Sequence, residues 1–524
     1  MSRSGVLLCI ALFVALGLRV LWLDQQCLNM DEVSEISTAH KPIAEIIWHP
    51  DSMPPGYSVV LKGWLAFFQT NDAARWLSLV CGVASVLCVW GLGRELCDES
   101  TAVSAAFVTA ILPLHIYYSQ FIRVYSLFFL FAALALWFVV LALKRGEVRY
   151  WAGFALIGVY GSYLHYYFAI VLAVSLLLVV VERGTMRIGA RAWLAFIAIG
   201  IAIIPLAWLL PGDLHLQKIA GQARPSGIAA FGYTYFSFIS GGSLGPSTRE
   251  LHGMPTREAL RIIAPWAALI GAIVAVLGYE GWKSARRHRA TAALLMLLVL
   301  PPLITVGCGF ALGLTYHPRF VVWSMIPAAI WLGAGISHGW HTQRVRIAMA
   351  GLLLVSGWAL TNRNTSPGYQ NEDLRGVAGF LACTPVNEPV YMLSDYLADV
   401  LRVYMQSEHT VVELPCKDEV QVAGWRPDHL ENALATIKSH TPPGCGYWLV
   451  YSRPFHGDPA GLLLKELLDG GSMELSREYA GVKLFRGGAL TADVSDERDV
   501  AFLGDKKPVR ARDNLESQII GNLP

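Results

Sequence analysis

The sequence predicts a polytopic α-helical membrane protein with about eleven transmembrane helices, followed by a C-terminal soluble α/β domain. Three observations support this prediction. Of the 524 residues, 54% are hydrophobic and only 15% are charged, which exceeds the apolar content that a globular core of this length would use. Apolar stretches long enough to cross a bilayer recur along residues 1–361. Strand-like and helix-like patterns then alternate in residues 362–487.

The membrane spans follow from the thickness of the bilayer, whose hydrocarbon core of about 30 Å requires about 20 apolar residues per helix. The predicted spans are residues 5–23, 74–93, 100–117, 124–143, 150–164, 167–181, 191–210, 262–279, 291–313, 319–337 and 345–361. Arg3 precedes the first apolar stretch, as in a signal peptide, but no Ala-x-Ala-like cleavage pattern follows it. We therefore expect an uncleaved anchor.

Positive residues predict the orientation, because Lys and Arg are retained in cytoplasmic loops. One set of alternate short loops is basic and contains Arg94, Lys144, Arg145, Arg149, Arg183, Arg187, Arg191, Lys283, Arg286, Arg287, Arg289, Arg344 and Arg346. The short loops of the other set contain little more than Arg123 and Arg319. The N-terminus is therefore predicted to be cytoplasmic, with residues 24–73, 211–261 and 362–524 outside. We expect a multi-pass protein of the cell (inner) membrane whose C-terminal domain is extracytoplasmic, in the periplasm of a bacterium.

Charge and cysteine content provide two further constraints. The 41 Lys and Arg nearly balance the 39 Asp and Glu, so no nucleic-acid partner is indicated. Cys27, Cys383, Cys416 and Cys445 lie on the predicted oxidising side, where one disulfide could form, and the favoured pair is Cys416 with Cys445. The other cysteines lie in or beside apolar spans, where we expect small buried hydrophobic side chains. No spacing of Cys and His suggests zinc.

The C-terminal segment predicts a mostly parallel sheet covered by helices. The helical patterns are residues 373–381, 397–405, 429–438 and 461–468, and the strand patterns are 389–393, 409–414, 447–451 and a closing pair within 473–485. No GxGxxG motif or P-loop occurs there, so nucleotide binding is not indicated. We expect residues 362–487 to be a packing or acceptor-docking module, and residues 488–524 to form a flexible tail.

The first outer loop contains two adjacent carboxylates, Asp31 and Glu32, directly after the first span. A charge near hydrocarbon costs about 2.5–3.5 kcal/mol at the centre of a helix, so carboxylates at this position require a function or a partner. Two roles are open for Asp31. It could act as a general base and take the proton from an attacking hydroxyl, or it could cap a helix over residues 32–47.

Several motifs together resemble the membrane glycosyltransferases of the C superfamily over about residues 1–361, and within it the bacterial protein-mannosyltransferase-like and aminoarabinose-transferase-like branch. In chain order they are Asp31-Glu32, the H-x-D-x-x-P-P-x-Y motif of residues 49–57, Arg75-Trp76-Leu77-Ser78 with Gly82, Gly91-Leu92-Gly93-Arg94, the S-Q-x-x-R-x-Y motif of residues 119–125, and Ser243-Leu244-Gly245-Pro246-Ser247. The chain departs from the pattern at Pro318-Arg319-Phe320, where many relatives have Arg-Tyr.

The resemblance implies transfer of a sugar from a polyprenyl-phosphate donor to an acceptor at the extracytoplasmic face, with inversion at the anomeric carbon. The partners would be this lipid donor, a lipid, glycan or protein acceptor, and the surrounding membrane lipids. Asp31 is then the predicted general base, with Glu32 as its neighbour or alternate. His49, Asp51, Tyr57 and His165 are predicted to lie along the acceptor path or its loops. For Asp51 an ordinary turn next to Pro54 and Pro55 is the alternative, and for His165 a place in the interfacial aromatic belt.

The predicted phosphate ligands are Arg123, Tyr125, His317, Arg319 and Arg249. A guanidinium group can bind phosphate through two parallel hydrogen bonds. Alternatives remain open for four of them: Arg123 could pair with Asp31 or extend to the interface, and Tyr125, His317 and Arg319 could belong to an interfacial belt. Arg249 lies in the long outer segment 211–261, which we expect to be a binding loop or lid.

No obligatory cofactor is predicted. If a divalent ion such as Mg²⁺ or Mn²⁺ were used, Asp31 and Glu32 would be its hard-oxygen ligands. The alternative function is that of a lipid or polysaccharide transporter or flippase, or of an inactive scaffold with the same fold. A transporter should place ionisable residues along a path through the membrane. The predicted spans contain few, and Arg19, the main exception, is expected within reach of the outer interface.

Overall fold

The structure is a computed structural model that describes residues 2–48, 53–70, 73–183, 189–223, 229–287, 291–314, 316–414, 427–469 and 473–488. The chain divides into two compact units. The first contains residues 1–23 and 38–364, and the second contains residues 24–37 and 365–524. The boundary at residues 37/38 falls within one helix, so the segment that carries Asp31 and Glu32 belongs to the second unit.

In the described residues up to 365, the regular elements are all helices. In chain order they are α1 (Arg3–Val20), α2 (Met30–His40), α3 (Ile43–Trp48), α4 (Gly56–Phe68), α5 (Ala74–Leu96), α6 (Glu99–Ile111), α7 (Pro113–Ser119), α8 (Tyr125–Arg145), α9 (Val148–Leu164), α10 (Phe168–Arg183), α11 (Ala190–Ala202), α12 (Leu206–Ala223), α13 (Ala229–Ser240), α14 (Thr248–Gly253), α15 (Thr256–Arg287), α16 (Thr291–Leu312), the 3-10 helix Pro318–Ser324, α17 (Met325–Gly339) and α18 (Gln343–Thr365).

Each of the predicted spans coincides with one of these helices or with a bent pair of them. Within the described ranges, seven helices are long and apolar enough to cross a membrane, and the number rises to nine if two bent pairs, α6 with α7 and α11 with α12, each form one span. The predicted spans 150–164 and 167–181 correspond to α9 and α10, which have only 17 and 16 residues. The prediction of a multi-pass helical membrane protein is therefore confirmed, although the length criterion supports seven to nine spans rather than about eleven.

Close helix packing in the first unit depends on small residues. A side chain at Gly335 of α17 would overlap the carbonyl group of Leu277 in α15. A Cβ atom at Gly333, also in α17, would lie 2.6 Å from the backbone nitrogen of Ala105 in α6. Small residues of this kind let helix backbones approach closely in membranes, where van der Waals contact stabilises the association.

Where the structure describes them, the long segments predicted as outer loops are largely helical. Residues 211–261 contain the end of α12, the whole of α13 and α14, and the start of α15. Residues 24–73 contain α2, α3 and α4. The helix considered over residues 32–47 is interrupted between α2 and α3 at Pro42, which has no backbone N–H group to continue the helical hydrogen bonds.

The second unit contains a five-stranded sheet with helices on both faces. Its elements after residue 365 are α19 (Leu374–Leu381), β1 (Val390–Met392), the 3-10 helix Asp395–Leu397, α20 (Ala398–Tyr404), β2 (Val411–Glu413), α21 (Pro427–His440), β3 (Tyr447–Ser452), α22 (Pro454–Gly457), α23 (Leu462–Asp469), β4 (Met473–Tyr479) and β5 (Val482–Gly487). The strand order is β2-β1-β3-β5-β4. The three strands β2, β1 and β3 are parallel, whereas β5 pairs antiparallel with both β3 and β4. The α/β prediction is thus confirmed, but the sheet is mixed because β4 and β5 form a hairpin.

The two faces of this sheet contribute to separate hydrophobic cores. Val390 and Met392 pack with α19, α20 and the side chain of Val33 from α2. Tyr391, between them in the sequence, packs on the opposite face with α21 and α23. This alternation is expected for a strand, in which successive side chains point to opposite faces. The contribution of Val33 shows that the segment 24–37 completes the core of the C-terminal unit.

Candidate active site

In the first unit, hydrogen bonds from both sides fix the turn between α7 and α8. The side-chain amide of Gln120 donates to the carbonyl oxygens of Arg19 and Leu21 at 2.9 and 2.8 Å. The hydroxyl of Ser78 donates to the carbonyl oxygen of Phe121 at 2.7 Å. Gln120 of the S-Q-x-x-R-x-Y motif is therefore structural, and it holds the turn that leads into Arg123.

Arg19 anchors the same turn from inside the first unit. Its side chain is fully buried (0% exposed), which corrects the expectation that it extends to the interface. The guanidinium group donates to the carbonyl oxygens of Ala15 and Ala110 at 2.8 and 3.1 Å, to the hydroxyl of Ser119 at 3.1 Å and to Nδ1 of His115 at 2.6 Å. A buried charge requires partners of this kind, and they tie α1, α6 and α7 together.

Arg123 and Tyr125 follow this turn. Arg123 is half-buried, and Tyr125 is the first residue of α8 and is buried. The ring of Tyr125 lies 4.8 Å from that of Tyr118, and the guanidinium carbon of Arg319 lies 5.6 Å from its centroid. This distance is within the range of a cation–π contact. The structure thus brings Tyr125 and Arg319, two predicted phosphate ligands, into direct contact.

His317 and Arg319 lie at the start of the 3-10 helix Pro318–Ser324. Nδ1 of the exposed His317 accepts a hydrogen bond from the backbone N–H of Arg319 at 3.2 Å, as an N-cap side chain does. The guanidinium group of Arg319 lies over the rings of Phe320 and Tyr125. These contacts support a capping role for His317 and place Arg319 against an aromatic surface.

His165 lies in the turn between α9 and α10 and contacts the same aromatic surface. Its ring stacks on Phe128 at 4.9 Å and lies 5.8 Å from Phe320 and 6.1 Å from Tyr125. Burial, together with the positive charges of Arg319 and Arg123, lowers the pKa of His165 to about 3. The imidazole is therefore neutral at physiological pH, and both arginines lie close enough to act on it electrostatically.

We call Arg123, Tyr125, His165, Arg319 and Phe320 the arginine–aromatic cluster. Four of these residues were singled out in the sequence, although His165 was assigned to the acceptor path rather than to the phosphate ligands. Phe320 was not predicted as a site residue; it stands where relatives have Tyr, and this substitution was the only signal for it. The guanidinium group of Arg319 against aromatic rings, the nearby charge of Arg123 and a neutral imidazole form a cationic cluster suited to an anion.

The end of the H-x-D-x-x-P-P-x-Y motif packs against α9 near this cluster. A Cβ atom at Gly56 would lie 2.5 Å from the carbonyl oxygen of Tyr163, and the hydroxyl of Tyr160 donates to the Gly56 carbonyl at 3.0 Å. Glycine is therefore required at this close approach. Tyr57 is buried (2% exposed), with its hydroxyl 3.5 Å from that of Ser78. His49 and Asp51, predicted for the acceptor path, lie outside the described residues.

In the second unit, the first turn of α2 is stabilised by a capping box. Asn29 precedes the helix, and its side-chain oxygen accepts the backbone N–H of Asp31 at 3.0 Å. The carboxylate of Glu32 in turn accepts the backbone N–H of Asn29 at 2.9 Å, and Glu32 is fully buried (0% exposed). The capping role considered for Asp31 thus belongs to Asn29 and Glu32, and the half-buried Asp31 is the more accessible carboxylate.

Contacts with the C-terminal elements fix the segment that leads into α2. The backbone N–H of Leu28 donates to the hydroxyl of Tyr404 at 2.8 Å. The sulfur of Cys27 accepts the backbone N–H of Arg375 at 3.2 Å, and the carbonyl of Cys27 accepts the side-chain amide of Asn371 at 2.8 Å. These partners lie more than 300 residues away in the sequence, so no local pattern could have revealed them.

A buried ion pair lies beside the start of α2. Arg453 donates two hydrogen bonds to the carboxylate of Glu372, at 2.8 and 3.0 Å, and its guanidinium nitrogen lies 3.7 Å from the sulfur of Met30. Arg453 has a left-handed backbone conformation with a φ of 48°, which is uncommon for a residue with a side chain. A two-point interaction with a carboxylate is the strong geometry for arginine, and it supports the turn that carries Asp31.

Arg249 lies in α14 of the first unit and is half-buried. Ser247 and Glu250 form a capping box at the start of this helix, so Glu250 has a structural role. The predicted role of Arg249 as a phosphate ligand stays a prediction.

The predicted metal and disulfide sites concern residues of the second unit. Within the described ranges, no group of three or more His, Cys, Asp or Glu side chains could hold a metal ion. Cys416 lies outside the described residues, so its pairing with Cys445 stays a prediction. The Cys27 thiol is buried, and burial raises its pKa to about 12. Cys383 is free and exposed.

The architecture and the cluster define a polytopic protein with the fold of the C-superfamily membrane glycosyltransferases, which confirms the resemblance at the level of the fold. Residues 52–210 match the family model described as dolichyl-phosphate-mannose-protein mannosyltransferase. This match includes the end of the H-x-D-x-x-P-P-x-Y motif, Arg123, Tyr125 and His165. No curated protein matches the sequence.

Three solved structures illustrate the similarity of fold. ArnT from Cupriavidus metallidurans in the apo state superposes with a TM-score of 0.55 at 12% identity, over 93% of this chain and 98% of that chain. ArnT from the same organism bound to undecaprenyl phosphate gives 0.51 at 15% identity, over 93% and 99%. The oligosaccharyltransferase AglB from Archaeoglobus fulgidus, in complex with an inhibitory peptide and a dolichol-phosphate, gives 0.50 at 12% identity, over 85% and 69%.

Proposed function

We propose that the protein transfers a sugar from a polyprenyl-phosphate-linked donor to an acceptor at the extracytoplasmic face of the membrane, with inversion at the anomeric carbon. The observation that carries this proposal is the arginine–aromatic cluster, in which Arg319 and Arg123 both lie in electrostatic range of the buried His165. Such a surface suits the phosphate of a lipid-linked sugar. ArnT bound to undecaprenyl phosphate and AglB in complex with a dolichol-phosphate support this ligand class, because both share the fold.

In the proposed reaction, a hydroxyl oxygen of the acceptor attacks the anomeric carbon. The bond between that carbon and the phosphate oxygen breaks, and the polyprenyl phosphate leaves with the electron pair. Arg319 and Arg123 stabilise the charge that develops on the phosphate. Asp31 takes the proton of the acceptor hydroxyl as general base. A single displacement of this kind inverts the anomeric configuration.

Asp31 suits the role of base better than Glu32. The carboxylate of Glu32 is committed to the capping box and is fully buried. Asp31 is held at the second position of the same helix, so its backbone is fixed while its carboxylate is half-buried. We therefore propose Asp31 as the base and Glu32 as a structural neighbour.

We expect the substitution Arg319→Ala to weaken binding of undecaprenyl phosphate about 10- to 100-fold, since it removes a charged hydrogen-bonding group from the phosphate site. Binding would be measured with purified protein in lipid nanodiscs. Arg346→Ala is the matched control, because Arg346 is an exposed arginine in a predicted cytoplasmic loop. Equal binding by the wild type and Arg319→Ala would contradict the assignment of the phosphate site.

The proposed reaction itself is tested by incubating the wild-type protein in vesicles with polyprenyl-phosphate sugars and a panel of lipid, glycan and protein acceptors. Release of polyprenyl phosphate together with a glycosylated acceptor supports the proposal. Movement of the lipid-linked sugar between leaflets without transfer would favour the transporter. The buried Arg19 does not favour that alternative, because it binds backbone carbonyl groups and side chains that join helices.

The proposed orientation leads to a labelling prediction at Cys383. We expect a membrane-impermeant maleimide to label Cys383 in right-side-out vesicles and not in inside-out vesicles. Cys383→Ser provides the background signal. Cys27 should resist labelling until the protein is denatured, since it is buried and its raised pKa keeps the thiol protonated. Labelling of Cys383 only in inside-out vesicles would place the C-terminal unit in the cytoplasm.

A further inference from the structure

One nitrogen of His165 has a defined structural role. Nδ1 accepts the backbone N–H of Tyr167 at 3.1 Å. A nitrogen that accepts a hydrogen bond cannot carry the proton of a neutral imidazole, so the proton resides on Nε2. His165 therefore presents a hydrogen-bond donor whose position is fixed by its own backbone turn.

That donor is buried and has no hydrogen-bond partner within the described part of the chain. The residue is only 1% exposed, so water at the surface does not satisfy it. Buried polar groups almost always have a partner, because an unsatisfied donor loses its hydration without compensation. The exception requires an explanation, and an acceptor that arrives with the substrate is one.

The surroundings of His165 favour an anionic acceptor. Burial, together with the charges of Arg319 and Arg123, lowers the pKa of His165, so the ring stays neutral and keeps its single proton on Nε2. The aromatic rings of Phe128, Tyr125 and Phe320 surround it and fix its plane. An anion that binds the arginines would also be the natural partner of this donor.

We propose that Nε2–H of His165 donates a hydrogen bond to a phosphate oxygen of the lipid-linked donor and of the polyprenyl phosphate that it releases. This inference rests on the proposed function and deepens it. The arginines contribute charge, whereas the neutral imidazole contributes a directional donor that orients the phosphate without adding net charge. This proposal assigns His165 to the phosphate site, whereas the prediction from the sequence assigned it to the acceptor path.

Three substitutions test this role. His165→Gln places an amide N–H near the position of Nε2, His165→Asn places its amide near Nδ1, and His165→Phe retains a ring without a donor. Binding of undecaprenyl phosphate would be measured in nanodiscs, together with thermal stability. We expect His165→Gln to bind within about threefold of the wild type, and His165→Asn and His165→Phe to bind about 10- to 100-fold more weakly.

The outcomes separate this inference from the proposed function. If all three variants bound undecaprenyl phosphate as tightly as the wild type does, the role of His165 would be overturned and the proposed function would remain intact. Equal loss in all three variants, with unchanged thermal stability, would also overturn it, because the loss would then follow ring shape rather than the donor. A folded wild-type protein that does not bind undecaprenyl phosphate would overturn the phosphate site itself, and with it the proposed function.

Discussion

Replacing Asp31 by Asn is expected to lower the rate of sugar transfer about 100- to 10,000-fold, which is the usual contribution of a general base. Asparagine has nearly the same shape and still allows the backbone N–H of residue 31 to bond to the side chain of Asn29. It cannot accept the proton of an acceptor hydroxyl. Binding of polyprenyl phosphate should remain unchanged, so the loss should appear in kcat rather than in KM for the donor.

Glu32→Gln is the matched control for this substitution. Glutamine also satisfies the capping box, since its side-chain oxygen can accept the backbone N–H of Asn29. We therefore expect Glu32→Gln to retain transfer within a few-fold. If Glu32→Gln abolished transfer while Asp31→Asn left it intact, the general base would be Glu32.

The contacts of Asp31's segment also bear on the role of the C-terminal unit. Residues 24–37 belong to that unit, and Val33 is part of its hydrophobic core. Tyr404 and Arg453, both from the C-terminal part of the chain, hold Leu28 and Met30 on the approach to Asp31. We infer that this unit has a positioning role for the proposed base, in addition to any binding of acceptors.

The sequence allowed the helical architecture, the α/β unit and the candidate residues to be predicted, because these depend on local patterns. The length of the apolar stretches predicted the membrane spans. The alternation of strand-like and helix-like patterns predicted the strands of the α/β unit. The motif containing Arg123 was recognised by its order of residues. The distinction between the two roles of Asp31 was out of reach, since it depended on whether Asn29 or Asp31 occupied the capping position.

Other features depend on contacts between distant residues. Cys27 forms hydrogen bonds with Asn371 and Arg375, and no sequence pattern around any of these residues indicates that they are in contact. Likewise, the partners of Arg19 lie on α6 and α7, about 90–100 residues away. A buried arginine in an apolar helix looks like an interfacial residue until the carbonyl groups that bind it are known.

Arg19→Met is expected to destabilise the first unit by about 1–3 kcal/mol, because it removes a donor and leaves the buried acceptors that it binds unsatisfied. The carbonyl of Thr109 has no helical partner because Pro113, four residues on, lacks an N–H group. Arg19 approaches this carbonyl and bonds to that of Ala110 at the C-terminus of α6, where a helix attracts positive charge. Methionine would fill the space and leave these groups unsatisfied.

The same substitution should weaken binding of undecaprenyl phosphate, because Arg19 holds Ser119 and the turn that leads into Arg123. Stability would be measured by SDS titration in detergent micelles, and binding by the nanodisc assay. Arg3→Met is the matched control, since Arg3 lies in the same helix and is exposed. If the Arg19→Met protein were as stable as the wild type but bound undecaprenyl phosphate more weakly, Arg19 would be a positioning residue only. If neither stability nor binding changed, the network around Arg19 would hold neither the helices nor the turn.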